Sequence, residues 1–215
     1  MTGRSRIAIN GRFLTQPVTG VQRYAREMLM ALEKLASERS DITFRLLTPR
    51  LSGPAPEVRH IRHETVGRFQ GHAWEQLDLP RFVGDDLLFC PGNTAPLALL
   101  LRRRPVAVTV HDLSYLYFPS AYSLMFRLLY NLIIPLVLKL ASAVITVSEA
   151  ERVAIVKRYP GSRDRIVAIP NGALPVGRQL ESHRGARDPF VLYVGSLSKR
   201  KNFPAMVKVA KNPGN

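Results

Sequence analysis

Four stretches of the sequence carry residue types able to do chemistry where an apolar run gives way to a loop: Thr15–Gly20, Cys90–Pro96, His111-Asp112 and Pro170-Asn171-Gly172. His111 and Asp112 come directly after the branched run Pro105–Val110, with Tyr115, Tyr117 and Phe118 beyond them. An imidazole there can bind hydroxyl groups or a developing charge. Equally, the backbone can satisfy the ring, with Asp112 capping the helix or turn that follows. Thr19-Gly20 stands at the mouth of a helix expected from Val21, where unpaired N–H groups and the helix dipole make an anion site suited to a diphosphate. Taken alone, it is also an ordinary strand-to-helix turn with Thr19 as its cap.

Two further stretches qualify. Gly71-His72-Ala73-Trp74-Glu75-Gln76-Leu77 sets the only tryptophan beside a carboxylate and an amide, which can stack on a sugar ring and bond its hydroxyls, or can simply pack a helix. Lys199-Arg200-Lys201-Asn202 places cations where they can neutralise a phosphate leaving group, or form a solvated basic loop. The sequence has no phosphate loop ending in Gly-Lys-Ser/Thr, no Asp-x-Asp pair and no Cys/His cluster with zinc spacing, so metal dependence is not expected. Nor is there a Gly-x-Ser-x-Gly elbow, and His60, His63, His72 and His183 show no partners for a nucleophilic triad.

The elements that must hold these loops follow from periodicity. Arg6–Asn10 is an apolar strand, and Val21, Tyr24, Ala25, Met28, Leu29 and Leu32 fall on one helical face after it. Further strands are expected at Thr43–Thr48, Val58–Arg62, Asp86–Cys90, Pro105–Val110, Ala143–Ser148 and Arg165–Pro170, several with helical patterns between them. Such alternation predicts an α/β fold, a Rossmann-like, mostly parallel sheet with helices on both faces. Ligands then bind beyond the carboxyl ends of the strands, where the loops named above lie. Residues 1–172 form this domain, 173–188 read as a Gly/Pro/Arg-rich linker, and 189–215 open a second unit with a strand at Phe190–Val194 and a helix from Asn202.

Composition bounds the setting. With 46% hydrophobic and 22% charged residues, the 215-residue chain describes a globular protein able to bury one core. Its single cysteine, Cys90, and the want of a signal-peptide core fit a reducing cytoplasm. The oily stretch Leu124–Val147 is broken by Arg127, Asn131, Pro135 and Lys139, short of the roughly 18 uninterrupted apolar residues of a membrane span, and reads as a buried helix followed by a strand. A net charge of +15 attracts phosphates on small substrates, anionic lipid or nucleic acid. Nucleic acid is not expected as the partner, because the basic residues are scattered and no reading module is present.

Taken in order, the stretches Thr19–Glu27, Trp74–Leu77, Cys90–Pro96, Val110–Leu113, Ile145–Glu149, Ile169–Gly172 and Tyr193–Asn202 resemble glycosyltransferase family 4, enzymes of two Rossmann-like domains (the GT-B type), and within it the mannosyltransferase-like branch. The resemblance covers nearly the whole chain. It implies a retaining transfer of a hexose from a nucleotide-diphosphate sugar by front-side attack, with no cofactor and no metal. His111 and Asp112 are then the catalytic candidates. Thr19, Gly20, Val21 and Lys201 would hold the donor diphosphate, and Trp74, Glu75 and Asn93 would meet the acceptor, a saccharide or lipid-linked saccharide.

Two departures from the family pattern stand out. Ser196 occupies a position where many members have Arg, and the family's Glu-x7-Glu pair, which holds the donor sugar and nucleotide, does not occur in this sequence. The chain is therefore expected to carry the acceptor-side domain with only the start of a donor domain, and to be inactive by itself. An alternative is a non-catalytic module that binds acceptor or membrane. The basic surface suggests peripheral contact with anionic lipid at the inner face of the membrane, each near-surface Lys or Arg adding roughly 1 kcal/mol.

Overall fold

The structure is a computed structural model and describes residues 5–172, Tyr193 and residues 201–211. Seven strands form one sheet: β1 (Ser5–Asn10), β2 (Ile42–Thr48), β3 (Arg62–Thr65), β4 (Leu87–Cys90), β5 (Val106–Thr109), β6 (Ala143–Thr146) and β7 (Ile166–Ala168). Their order is β3-β2-β1-β4-β5-β6-β7, and every pairing is parallel. The expected Rossmann-like α/β fold is present.

Because successive side chains of a strand point to opposite faces, neighbouring residues feed two separate cores. Ala8, Leu47, Leu88, Val106, Val108 and Val144 pack into one, against α3 (Leu79–Val83), α4 (Leu97–Leu101) and α6 (Leu124–Leu140). Ile9, Phe44, Leu46 and Phe89 pack into the other, where α1 (Gly20–Glu38) contributes Ala25 and Leu29. The expected apolar face of α1 is thus the one that seats it.

The remaining helical pieces are short. They are α2 (Gly71–Ala73), which runs on into a π-helical turn at Trp74–Asp78, α5 (Ser114–Tyr117), α7 (Glu149–Arg158) and α8 (Phe203–Lys211). The chain leaves β1 through a tight turn at Gly11–Thr15. A Cβ on Gly11 would stand 2.6 Å from Thr48 Cγ2 and 2.7 Å from the Leu47 carbonyl oxygen, so only glycine lets the turn lie against β2.

Three expectations need adjustment. The strand expected at Val58–Arg62 begins where that range ends. Ile61 is buried and Val58 leans on the second core, so they anchor a loop, while Arg62–Thr65 pairs with β2 at the sheet edge. The Leu124–Val147 stretch does form a helix followed by a strand, but the helix is buried along one side only: Leu124, Leu128 and Leu132 face solvent. The linker at 173–188 lies outside the described residues, as does the strand at Phe190–Val194 apart from Tyr193. The helix expected from Asn202 runs from Phe203.

Candidate active site

The carboxyl ends of the strands open onto a cavity of about 1260 Å³. Its position is the crevice between β1 and β4, where the strand order reverses direction and parallel sheets bind ligands. Side chains from several elements line it. Thr19, Gly20 and Val21 bring the N-terminus of α1 to the rim, and Lys201 comes to the same cavity from the start of the last described segment. His111 and Asp112 follow β5, Pro91 and Asn93 follow β4, and Asn171 follows β7.

His111 is held from three directions. Its backbone N–H donates to Asn93 Oδ1 at 2.8 Å, its Nε2 lies 2.9 Å from the Pro91 carbonyl oxygen, and Tyr24 of α1 meets the ring edge-on at 4.7 Å between centroids. A carbonyl can only accept, so Nε2 carries the proton and Nδ1 keeps its lone pair. Burial pushes the His111 pKa down, against the smaller upward pulls of the Pro91 contact and the Asp112 charge. Asp112 Oδ1 accepts the Ser114 N–H at 2.9 Å and so starts the turn into α5. The backbone thus satisfies one imidazole nitrogen, and both residues line the cavity.

At the α1 rim, Gln22 Oε1 accepts the Thr19 N–H at 3.3 Å and also the Thr19 hydroxyl. An ideal Cβ at Gly20 meets nothing within 4 Å, so the approach to the first turn is open. The first intrahelical bond runs from Arg23 N–H to the Thr19 carbonyl, so the earlier N–H groups have no carbonyl one turn back.

The floor is a buried ionic network. Glu75 is completely buried, and its Oε1 accepts Asn10 Nδ2–H at 2.7 Å and Arg12 Nε–H at 3.2 Å. Its Oε2 accepts the Thr94 hydroxyl at 2.7 Å, with His72 Nδ1 at 3.3 Å. Arg12 also donates Nη2–H to Thr94 Oγ1 at 3.1 Å. Burial by itself would raise the Glu75 pKa, but Arg12, His72 and Thr94 hold it down at about 2. A buried ion pair is weak evidence for stability, and its retention in a cavity floor points to a positioning duty. A further wall is aromatic: Tyr122, just ahead of α6, and Phe126 and Tyr130 on it stack in sequence along the cavity.

A model of Glycosyltransferase Family 4 matches residues 18–173, which takes in the α1 N-terminus and the loops after β4, β5 and β7. The chain belongs to glycosyltransferase family 4. No curated protein matches it. Its domain is that of a glycosyltransferase, with nucleotide sugar and acceptor as the partners such a family suggests.

Within this glycosyltransferase domain the expected site residues divide. His111, Asp112, Thr19, Gly20, Val21, Asn93, Glu75 and Lys201 all line the one cavity. Trp74 does not. It is fully buried in the first core, with its indole N–H donated to the Val66 carbonyl, and so has no face to offer a sugar ring. Neighbouring residues of a helix point about 100° apart, so Trp74 enters the core while Glu75 reaches the cavity. His72, for which the sequence offers no nucleophilic triad, lies against Glu75 and forms none here either. Asn10, Arg12 and the aromatic wall were not foreseen at all. Asn10 ends β1 and Arg12 follows it closely, so the rule that singled out His111 also points to them.

No helix among the described residues is long and apolar enough to cross a membrane. Among the described residues no group of three or more His, Cys, Asp or Glu side chains is gathered as for a metal ion.

Proposed function

We propose that the chain is the acceptor-side half of a retaining glycosyltransferase that moves a hexose, mannose-like, from a nucleotide-diphosphate sugar to a saccharide or lipid-linked saccharide. The observation that carries this reading is the meeting of the α1 N-terminus, Lys201 and His111 on one cavity. The first N–H groups of α1 and the Lys201 ammonium both favour negative charge, as a diphosphate requires. Such groups stabilise charge building on a departing phosphate without a metal.

In this reading the His111 Nδ1 lone pair accepts from a hydroxyl of the transferred sugar. Asn93 acts through the His111 backbone, while Arg12, His72 and Glu75 shape the acceptor side of the cavity. The departing phosphate helps to take the acceptor proton, so no side chain need act as a strong base.

The test is a heteronuclear NMR titration of the chain with inorganic pyrophosphate and with a nucleoside diphosphate. Saturable shifts at Gly20, Val21, His111 and Lys201 are expected with both. Saturable shifts confined to other surfaces, or none, would remove the donor reading and leave a non-catalytic acceptor- or membrane-binding module.

A further inference from the structure

Helix α6 is apolar nearly all round, yet only half of it is covered. Tyr130, Ile133, Ile134, Val137 and Leu138 are buried. Leu124, Leu128 and Leu132, spaced by four and so aligned on the opposite flank, are 67%, 58% and 55% exposed, with Met125 at 75% beside them. Tyr117 and Phe118, just ahead of the helix, are exposed as well. Single exposed leucines need no explanation, but a run of them along one helix does.

The charges around this ridge are nearly all of one sign. From residue 113 to residue 148 the sequence has no Asp or Glu, and its only charged residues are Arg127 and Lys139, both on α6. The segments packed against α6 add exposed Arg102 and Arg103 after α4, and Arg163 and Arg165 in the turn at Pro160–Arg165, with Asp164 as the one acidic group there. Two copies meeting through this face would set cation against cation. An anionic lipid surface answers both the leucines and the cations.

We propose that the α6 ridge from Tyr117 to Leu132 is a docking surface for an anionic bilayer. The leucines enter the boundary between headgroups and acyl chains, and Arg127, Lys139, Arg102 and Arg103 lie at the lipid phosphates. The mode is interfacial, since no described helix is able to span. Phe126 and Tyr130 on the other flank of α6 line the cavity, so docking holds the cavity beside the membrane surface. Nothing here depends on the transferase reading.

The experiment is cosedimentation of the chain with vesicles of phosphatidylcholine alone and of phosphatidylcholine mixed with phosphatidylglycerol. Binding to the mixed vesicles only is expected. The Leu124→Ser/Leu128→Ser variant should bind roughly tenfold or more weakly, the loss expected for removing a buried leucine contact, at an unchanged melting temperature. Cys90 is buried, so an environment-sensitive dye attached to Leu128→Cys reports this face alone, and its emission should shift to the blue on mixed vesicles. Equal binding by the double variant, or an unshifted dye, would overturn the proposal. So would a dimer that dissociates in the double variant while neither protein binds vesicles.

Discussion

His111 Nε2 sits 2.9 Å from the Pro91 carbonyl oxygen, and this contact decides which ring nitrogen is left for a ligand. Nitrogen-detected NMR should find the Nε2–H tautomer, with a titration midpoint below the ordinary 6.5, because burial disfavours the charged ring. A pKa lowered by folding means that protonation opposes the fold. The neutral ring's contribution is complete above pH 6.5 and is lost as pH falls through the lowered midpoint. A midpoint above 6.5 would contradict this account.

Glu75 and Arg12 form a pair that neither can leave alone. Glu75→Gln strands a buried guanidinium and should lower the free energy of unfolding by roughly 3–5 kcal/mol in urea denaturation. Replacing both, as Arg12→Met/Glu75→Leu, should recover much of that loss. With the Glu75 pKa brought from 4.5 to about 2, the stability it supplies is full above pH 4.5 and drains away between there and about pH 2. An unchanged acid profile in Glu75→Gln would show that the network carries no such linkage.

Gly11→Ala tests the close approach of the first turn to β2. The added methyl meets a backbone carbonyl and a buried threonine, neither the free end of a flexible chain. A loss of about 1–3 kcal/mol or more is expected from thermal denaturation. A neutral result would mean that the turn can move away from Thr48.

Lys201→Ala should weaken pyrophosphate binding about tenfold in calorimetric titration, the loss typical of one charge-assisted hydrogen bond. Adding a chelator should leave the wild-type isotherm unchanged. Metal-dependent binding would refute the view that helix N–H groups and a lysine suffice.

Trp74→Phe removes the donor to Val66 and should cost about 1–3 kcal/mol of stability, with pyrophosphate affinity untouched. As the sole tryptophan, Trp74 should also resist acrylamide quenching in the native protein. Ready quenching would return it to the cavity surface.

The sheet was legible because branched apolar runs such as Pro105–Val110 admit few other structures, and the strand-end rule then led to His111 and Asp112. Edge strand β3 was displaced in the reading because Arg62-His63-Glu64-Thr65 lacks an apolar alternation, while the oily residues ahead of it fasten a loop. Trp74 misled for a different reason: type and neighbours were right for sugar stacking, but a single residue of helical register decides whether the ring faces ligand or core. The Arg12–Glu75 pair spans 63 residues, and no local pattern announces contacts at that range. On α6 the composition implied burial, whereas only packing shows which flank stays bare.

The place of β1 in the sheet bears on synthesis. Although it is the earliest strand in the described chain, it lies between β2 and β4, so its second neighbour does not exist until Leu87–Cys90 has been made. As the chain grows on the ribosome, Ile9 and Ala8 have one edge of their strand unpaired for the whole of that interval, in a segment suited to pairing with the wrong neighbour. The cavity between β1 and β4 is accordingly closed late, by residues translated long after its first wall, and a pause in elongation before β4 would lengthen the period in which the nascent domain depends on chaperones.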